Sequence, residues 1–292
     1  MAPRDFAAYA YLSLAWGLSF LLLLHVVDAF GWIGAVTFRC FIAGALLYAI
    51  ARMMRRRLDF GAGWLPFTIV GATTVAGQLI GLSYATPLIG TAMAAIFVAS
   101  IPLFSMVIAQ VWGLERITQA RVFGLALGTI GIVMLVGFPA VPVTGGLLLG
   151  CFAMIGSTFS AAFGSNYASR HLSGTGPWEV TIGSFIAGGM LTLPLLWFVP
   201  VPGTPVALDY LYLVALAALM SALTYVLYFS LVKSIGATAA ISVEFAVTVV
   251  AVLVGALVLD EALTTVQLFG GVVIILGCAL VLGLLRLPRT AT

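Results

Sequence analysis

The sequence predicts an all-α membrane protein of ten transmembrane helices, arranged as an inverted 5+5 repeat with both termini in the cytoplasm. Three observations predict this fold: the composition, the length of the uncharged stretches, and the side on which positive charge falls. Of the 292 residues, 63% are hydrophobic and only 7% are charged. Soluble domains are about 25% charged, so this chain could not cover a surface exposed to water and must lie in a bilayer.

The uncharged stretches set the number of helices. Residues 60–114 and 122–169 contain no charged side chain. Because one crossing needs roughly 20 apolar residues, each stretch must hold two helices, separated at Pro87 and Gly90 in the first and at residues 138–142 in the second. A β-barrel would need polar and apolar residues to alternate, which these continuous runs exclude. The predicted helices are 7–26, 32–54, 64–83, 91–113, 119–137, 145–166, 178–199, 210–232, 237–259 and 265–285.

Positive charge indicates the orientation. With ten helices, 11 of the 12 basic residues fall on one side of the membrane, and the twelfth is Arg39 inside the second helix. Basic residues are retained in cytoplasmic loops, so that side and both termini are predicted to be cytoplasmic. The densest basic run is Arg52 and Arg55 to Arg57. The sequence favours a topology anchor for this run over a lipid or nucleic-acid patch.

The chain also carries a weak internal repeat. An offset of 144 residues places Phe41 to Gly44 on Phe185 to Gly188. An offset of 146 residues aligns the pairs Glu115 and Glu261, Thr118 and Thr264, Gly124 and Gly270, and Gly131 and Gly277. The predicted units are 1–139 and 140–292. Five helices per unit is an odd number, so the units must insert in opposite directions, an arrangement typical of secondary transporters.

At these repeated Glu, Thr and Gly positions the sequence resembles the EamA-type repeats of the drug/metabolite transporter superfamily, and most of all its YddG-like group of bacterial amino-acid exporters. The resemblance implies a multi-pass protein of the cell (inner) membrane, with helices 1–4 and 6–9 around a central cavity and helices 5 and 10 at the periphery. Family repeats carry Pro about thirteen residues before the closing Glu. Pro102 fits before Glu115, but Thr248 occupies the matching position before Glu261, so a kink is expected only in the first half.

The repeated Glu and Thr residues also have a structural interpretation. Thr264 and Gln267 have the spacing of a capping box, and Thr118 is placed to cap the fifth helix. A carboxylate at the N-terminus of a helix is stabilised by the helix dipole. We therefore predict structural roles for Glu115 and Glu261.

Polar residues at helical spacing predict where a cavity lies, because in lipid such side chains face the bundle interior. Helix 8 carries a polar and aromatic stripe, and helices 1, 3 and 6 carry shorter ones. Helix packing through small polar residues is the alternative interpretation. The predicted cavity residues on these four helices are Trp16, Gln78, Ser160, Thr224, Tyr225 and Tyr228.

Two ionisable residues lie deep in predicted helices and complete the candidate site. Glu244 in helix 9 is predicted to bind a substrate amino group or to carry a coupling proton. Arg39 in helix 2 is predicted to clamp a carboxylate or to join an ion pair, with snorkelling to the interface as the alternative. Their different depths argue against a direct pair.

Other classes of function lack support in the sequence. The only two histidines, His25 and His171, fall on opposite sides of the membrane, and no phosphate-binding loop or dinucleotide fingerprint is present. The protein is therefore predicted not to be an enzyme, to need no cofactor or metal, and to bind no nucleic acid. We expect a secondary carrier that exports small metabolites, most of all aromatic or apolar amino acids, by alternating access. The alternatives are export of other metabolites or drug-like cations, and a channel.

Overall fold

The computed structural model describes residues 3–113, 118–137, 142–235, 240–241, 243–281 and 285. Throughout these residues the regular secondary structure is helical, as the sequence predicts, and no strand occurs among them. The α-helices are α1 (Pro3–Met53), α2 (Trp64–Val70), α3 (Gln78–Ile89), α4 (Thr91–Val98), α5 (Ile101–Val111), α6 (Gln119–Gly137), α7 (Gly145–His171), α8 (Pro177–Thr192), α9 (Ala207–Ala217), α10 (Leu223–Ile235), α11 (Val243–Val258) and α12 (Thr265–Val281).

Within the described residues, six helical segments are long and apolar enough to cross a membrane: Pro3–Met53, Trp64–Ile89, Thr91–Val111, Gly145–His171, Pro177–Trp197 and Ala207–Ile235. Three further apolar helical stretches are shorter: Val122–Met134, Val243–Val258 and Thr265–Gly277. Each segment overlaps a helix predicted from the sequence. The predicted boundary between the two units, at 139/140, lies outside the described residues.

The first segment contains a break that divides it. A straight helix of 51 residues would be about 77 Å long, more than twice the hydrocarbon core. Gly31 interrupts the helix with φ 71° and ψ 163°, a backbone conformation that is almost restricted to glycine. A Cβ at Gly31 would also lie 3.3 Å from Cδ of Pro202. Gly31 thus separates the two helices that the sequence predicts here.

The predicted break at Pro87 is wrong in position. Pro87 lies inside α3, which ends at Gly90 with φ 83°. The amide of Gly90 donates to the carbonyl of Thr86 at 2.9 Å. Proline lacks one amide donor, so a single hydrogen bond of α3 is lost, and the final turn survives.

The proline-associated kink occurs only in the first half, as expected. α4 and α5 are separate helices, and Pro102 occupies the first turn of α5. The repeat-related α11 runs from Val243 to Val258 without interruption through Thr248. Since Thr248 retains the backbone donor that proline lacks, the second-half helix has no reason to break there.

Two π-helical segments interrupt the third and eighth predicted helices. One is Gly71–Gly77, between α2 and α3, and the other is Ala218–Ala222, between α9 and α10. The repeat offset of 146 residues places the second segment on residues 72–76, inside the first. Two unusual segments at equivalent positions indicate that the repeat extends from sequence to backbone geometry.

Helices α6 and α12 pack closely through repeat-related glycines. A Cβ at Gly131 would lie 2.7 Å from the carbonyl oxygen of Gly270, and a Cβ at Gly277 would lie 2.6 Å from that of Gly124. The repeat pairs Gly124 with Gly270 and Gly131 with Gly277, so each contact is the counterpart of the other. Such reciprocal contacts are characteristic of two-fold symmetry.

The substitution Gly277→Ala tests this packing. The added methyl group would meet backbone on α6, so the helices must separate, and we expect a loss of about 1–3 kcal/mol of stability. Thermal unfolding in detergent would measure it. Gly156→Ala in α7, where no atom lies within 4 Å of the added Cβ, is the control. Equal melting temperatures for the two variants would contradict this account of the α6–α12 contact.

Candidate functional site

A small cavity lies between residues contributed by α1, the first π-helical segment, α3, α5, α7, α10 and α11. Its lining residues are Trp16, Thr74, Gln78, Ile101, Ala161, Ser165, Tyr225, Tyr228 and Glu244. Its volume is ≈ 10 Å³, about the space of one water molecule. A metabolite the size of an amino acid requires the surrounding helices to move apart.

Three aromatic side chains form one wall of this cavity. The Trp16 ring centroid lies 5.7 Å from that of Tyr225 and 5.5 Å from that of Tyr228. The hydroxyl of Tyr228 donates to Oγ of Ser165 at 2.9 Å, and that of Tyr225 donates to the carbonyl of Thr74 at 3.3 Å. The phenol groups are thus paired, as buried tyrosines normally are, and the three rings border the cavity.

Glu244 supplies the only carboxyl group on the described lining. Its side chain is 6% exposed, and no described residue forms an ion pair or hydrogen bond with its carboxyl oxygens. Its backbone carbonyl accepts from Oγ1 of Thr248 at 2.7 Å, and the same hydroxyl donates to Ala95 at 2.9 Å. Thr248 therefore links the first turn of α11 to α4, and the Glu244 carboxyl group faces the cavity.

A second buried polar group on the lining lacks a partner. Oγ1 of Thr74 makes no hydrogen bond to any described residue. A Cβ at Gly164 would lie 1.9 Å from this oxygen, so any larger residue at 164 would displace Thr74. An unsatisfied buried hydroxyl is costly.

Arg39 lies outside the cavity lining, contrary to the sequence-based expectation. Its Nε donates to Oγ of Ser221, and its Nη2 donates to the carbonyl of Met220 at 3.1 Å. Oγ of Ser221 in turn donates to the carbonyl of Leu216 at 3.0 Å. Arg39 is therefore held by the second π-helical segment, and no described carboxylate pairs with it.

Two other predicted cavity residues serve helix packing in this conformation. Thr224 is fully buried and donates to the carbonyl of Ser221 at 3.1 Å. Ser160 packs against Gly77, where an added Cβ would lie 3.0 Å from the serine Oγ. The remaining predicted cavity residues, Trp16, Gln78, Tyr225, Tyr228 and Glu244, do line the cavity.

Thr74 also lines the cavity, one helical turn before Gln78 on the same polar face of the third predicted helix. Three other lining residues were not predicted from the sequence. Ser165 continues the face of Ser157 after eight residues. Ile101 and Ala161 carry no polar signal, and nothing in the sequence distinguishes them from other apolar residues.

The two π-helical segments form matching hydrogen bonds across the repeat. Tyr225, in the second half, donates to the carbonyl of Thr74 in the first. Arg39, in the first half, donates to the carbonyl of Met220 in the second. The 146-residue offset relates Thr74 to Met220, so equivalent carbonyls accept these bonds from different donors. π-helical turns often occur at functional sites.

Glu261 connects the halves at another position. Its carboxylate accepts from the backbone amides of Thr91 at 2.6 Å and Ala92 at 2.7 Å, the first two residues of α4. A Cβ at Gly255 would lie 2.6 Å from Oε2 of Glu261, so glycine leaves space for the carboxylate. The contact satisfies two otherwise unpaired donors and places negative charge at a helix N-terminus.

The predicted capping box is also present. The amide of Gln267 donates to Oγ1 of Thr264 at 3.1 Å, and the amide of Thr264 donates to Oε1 of Gln267 at 3.0 Å. Thr118 immediately precedes α6, and its carbonyl accepts from Val122 at 3.1 Å, which is the N-cap position. Glu115 lies outside the described residues.

The bundle of apolar helices around a small polar and aromatic cavity defines a polytopic membrane protein. Residues 7–137 and 148–283 both match the model of the EamA-like transporter family. The chain belongs to that family, and its two matches correspond to two repeats. It is thus a membrane transporter of small molecules.

Solved structures extend the comparison of the fold. One crystal structure of a protein aligns with this chain with a TM-score of 0.66 and 18% sequence identity. The alignment covers 94% of this chain and 95% of the other. No curated protein matches the chain. The structural similarity supports the helical fold over nearly the full length.

Glu261→Gln tests the contact at the start of α4. The variant loses the negative charge and presents an amide donor to a backbone donor, so we expect a loss of about 1.5–3 kcal/mol of stability. Thermal unfolding in detergent gives the readout. Asp260→Asn is the control, because Asp260 has φ 51°, a conformation that Asn tolerates. If Glu261→Gln melted with the parent protein, the contact would not contribute to stability.

Proposed function

We propose that this protein is a secondary carrier that exports small amphipathic metabolites, most of all aromatic or apolar amino acids. The observation that carries the proposal is the carboxyl group of Glu244 in a small cavity walled by Trp16, Tyr225 and Tyr228. An apolar cavity with few convergent polar groups is typical of a site for a small ligand. Membership of the family supports a transport function, and the residues that line the cavity support the proposed class of substrate.

The proposed topology has ten membrane crossings. The break at Gly31 makes two crossings of the first long segment, the five other long segments add one each, and the three shorter apolar helices complete the set. With basic residues on the cytoplasmic side, both termini lie in the cytoplasm. The units 1–139 and 140–292 would then be inverted repeats in the inner membrane.

Alternating access is supported by the symmetry of the two π-helical segments. In a protein made of inverted repeats, the two halves can exchange conformations and so open one site to each face in turn. The Thr74 and Met220 carbonyls are equivalent under the repeat, but a tyrosine serves one and an arginine serves the other. We propose that these bonds lengthen and shorten in opposite phases of the cycle.

The lining suggests how an amino acid would bind. Its ammonium group would pair with the Glu244 carboxylate, and its side chain would contact the Trp16 ring. Its carboxylate would accept hydrogen bonds from the Gln78 amide and from the Thr74 hydroxyl. Arg39 could bind the substrate carboxylate only after its hydrogen bond to the carbonyl of Met220 breaks.

Glu244 is also the candidate coupling group. A carboxylate that holds either a proton or a substrate ammonium group, but not both, makes the two ligands compete for one site. If the site can switch between the two sides of the membrane only when a proton or a substrate is bound, an inward proton gradient drives export of the substrate. Protons are therefore the proposed coupling ion.

Counterflow in proteoliposomes tests the carrier function. Labelled phenylalanine outside should accumulate when unlabelled amino acid is present inside, and the uptake should saturate. A flux that neither saturates nor responds to internal substrate would indicate a channel. A cooperative thermal unfolding transition would show that the purified protein is folded. If such protein gave no flux with any amino acid, the amino-acid assignment would be overturned, and other metabolites or drug-like cations would be favoured.

Glu244→Gln tests the coupling residue. We expect this variant to lose the pH dependence of net flux, because the glutamine amide does not titrate in this range. Net export at several external pH values, compared with exchange at fixed pH, separates coupling from binding. Glu179→Gln is the matched control, since Glu179 is also 6% exposed but does not line the cavity. An unchanged pH profile in Glu244→Gln would remove Glu244 from the coupling mechanism.

Trp16→Leu tests the aromatic wall. Loss of ring contacts worth about 0.5–1.5 kcal/mol should raise the half-saturation concentration for phenylalanine roughly 2- to 10-fold, and that for alanine less. Concentration dependence of counterflow measures both. Trp32→Leu is the control, because Trp32 contacts Tyr84, with ring centroids 5.2 Å apart, and does not line the cavity. Equal effects on the two substrates would contradict a role of Trp16 in side-chain recognition.

A further inference from the structure

Four arginines at the end of α1 line a cavity of their own. Arg52, Arg55, Arg56 and Arg57 line an open concavity of ≈ 770 Å³ at the protein surface, and its other lining residues are Tyr48, Leu58 and Phe60. We call this the arginine cavity. Its lining residues differ from those of the candidate substrate site. A topology anchor needs positive charge on one side of the membrane but needs no concave surface.

The backbone that positions these arginines has an unusual conformation. The amide of Arg56 donates to the carbonyl of Ala51 at 2.9 Å, and that of Arg55 donates to Arg52 at 3.0 Å. These are the two bonds of a Schellman motif, with Arg55 at the position where glycine is usual. Arg55 has φ 54°, which a side chain other than Asn or Asp rarely adopts. A topology anchor has no need of an arginine at this strained position.

The positive charge of the cavity is not neutralised by described parts of the protein. No described carboxylate forms an ion pair with any of the four arginines. The nearby Asp59 instead accepts from the amide of Gly61 at 2.8 Å. The Arg56 guanidinium lies 5.2 Å from the ring centroid of Trp178, an interaction that holds the cation in place but leaves its charge. Four guanidinium groups thus remain available to an anion.

The surroundings place the cavity at the boundary between lipid tails and headgroups. Met53, Met54, Trp64 and Leu65 lie close to it in the chain and are 57–83% exposed. Large exposed apolar side chains at the end of a membrane helix contact lipid, and tryptophan is enriched at the interface. The arginines follow directly after the apolar part of α1, at the depth of lipid phosphates.

We propose that the arginine cavity binds the phosphate group of an anionic phospholipid of the cytoplasmic leaflet. Guanidinium groups bind phosphate oxygens in pairs, through a planar geometry that lysine lacks. A phospholipid fits both the cationic lining and the apolar side chains beside it, whereas a soluble phosphate uses only the former. The shared chemistry is a phosphate ester, and the lipid is the source that the apolar border favours.

The proposal predicts selective retention of anionic lipid. Native mass spectrometry of the purified full-length protein, titrated with phosphatidylglycerol or phosphatidylcholine, measures the bound lipid. We expect phosphatidylglycerol to bind about tenfold more tightly to the parent protein, and the double variant Arg55→Lys/Arg57→Lys to lose most of that preference while keeping its charge. Arg170→Gln is the control, since Arg170 lies over a different ring, that of Trp112, at 5.7 Å.

A second variant separates lipid binding from folding. Arg55→Gly supplies the residue that the Schellman position favours, so its melting temperature should equal or exceed that of the parent. Its preference for phosphatidylglycerol should fall several-fold. If Arg55→Gly or the double lysine variant kept the full preference, the site would be overturned and the arginines would serve as topology anchors only.

A soluble competitor identifies the source of the phosphate. Glycerol 3-phosphate added to the complex should displace phosphatidylglycerol only at a large molar excess, because it lacks the acyl chains. Displacement at equal concentrations would show a site for soluble phosphate esters and overturn the lipid assignment. Equal binding of phosphatidylcholine and phosphatidylglycerol to the parent protein would overturn the proposal as a whole.

Discussion

Polar groups in a hydrocarbon core must find their partners within the protein, and this constraint governs the structure. An unpaired backbone group in lipid costs several kcal/mol, so each departure from regular α-helix needs a donor or acceptor nearby. In the π-helical segments, the carbonyl of Thr74 accepts a hydrogen bond from Tyr225, and that of Met220 accepts one from Arg39. The first two amides of α4 donate hydrogen bonds to the Glu261 carboxylate. The irregular positions are therefore also the positions where the two halves of the chain hold each other.

The repeat constrains the backbone more strongly than the side chains. Gly124, Gly131, Gly270 and Gly277 make reciprocal contacts between α6 and α12, because close approach depends on the absence of a side chain in both halves. The donors to the π-helical carbonyls are not conserved between the halves. The repeat offsets place Leu79 opposite Tyr225 and Gly183 opposite Arg39. The two halves thus share the geometry of these backbone segments but differ in the side chains that bond to them.

The cavity lined by Trp16, Tyr225 and Glu244 connects the contacts between the halves with the proposed function. With a volume of ≈ 10 Å³, the site cannot hold a metabolite until the helices around it separate. Several lining residues take part in bonds between the halves. Tyr225 both forms the aromatic wall and bonds to Thr74. A ligand that displaces Tyr225 or Thr74 would therefore also disturb the hydrogen bond between the two halves.

The sequence alone determined the class of protein, the segments that become helices, the repeat and the Thr264 capping box. The class and the helices depend on composition and periodicity, and the capping box depends on residues three positions apart. The repeat is visible as identical residues at a fixed offset, which comparing the sequence with itself reveals. The tertiary structure alone decided that Tyr225 lines the cavity whereas its neighbour Thr224 bonds to its own helix, and that Arg39 meets Ser221 and Met220. In a membrane bundle a polar residue faces inward whether it borders a cavity or another helix, so the sequence pattern is the same for both. The difference depends on contacts between residues more than a hundred positions apart.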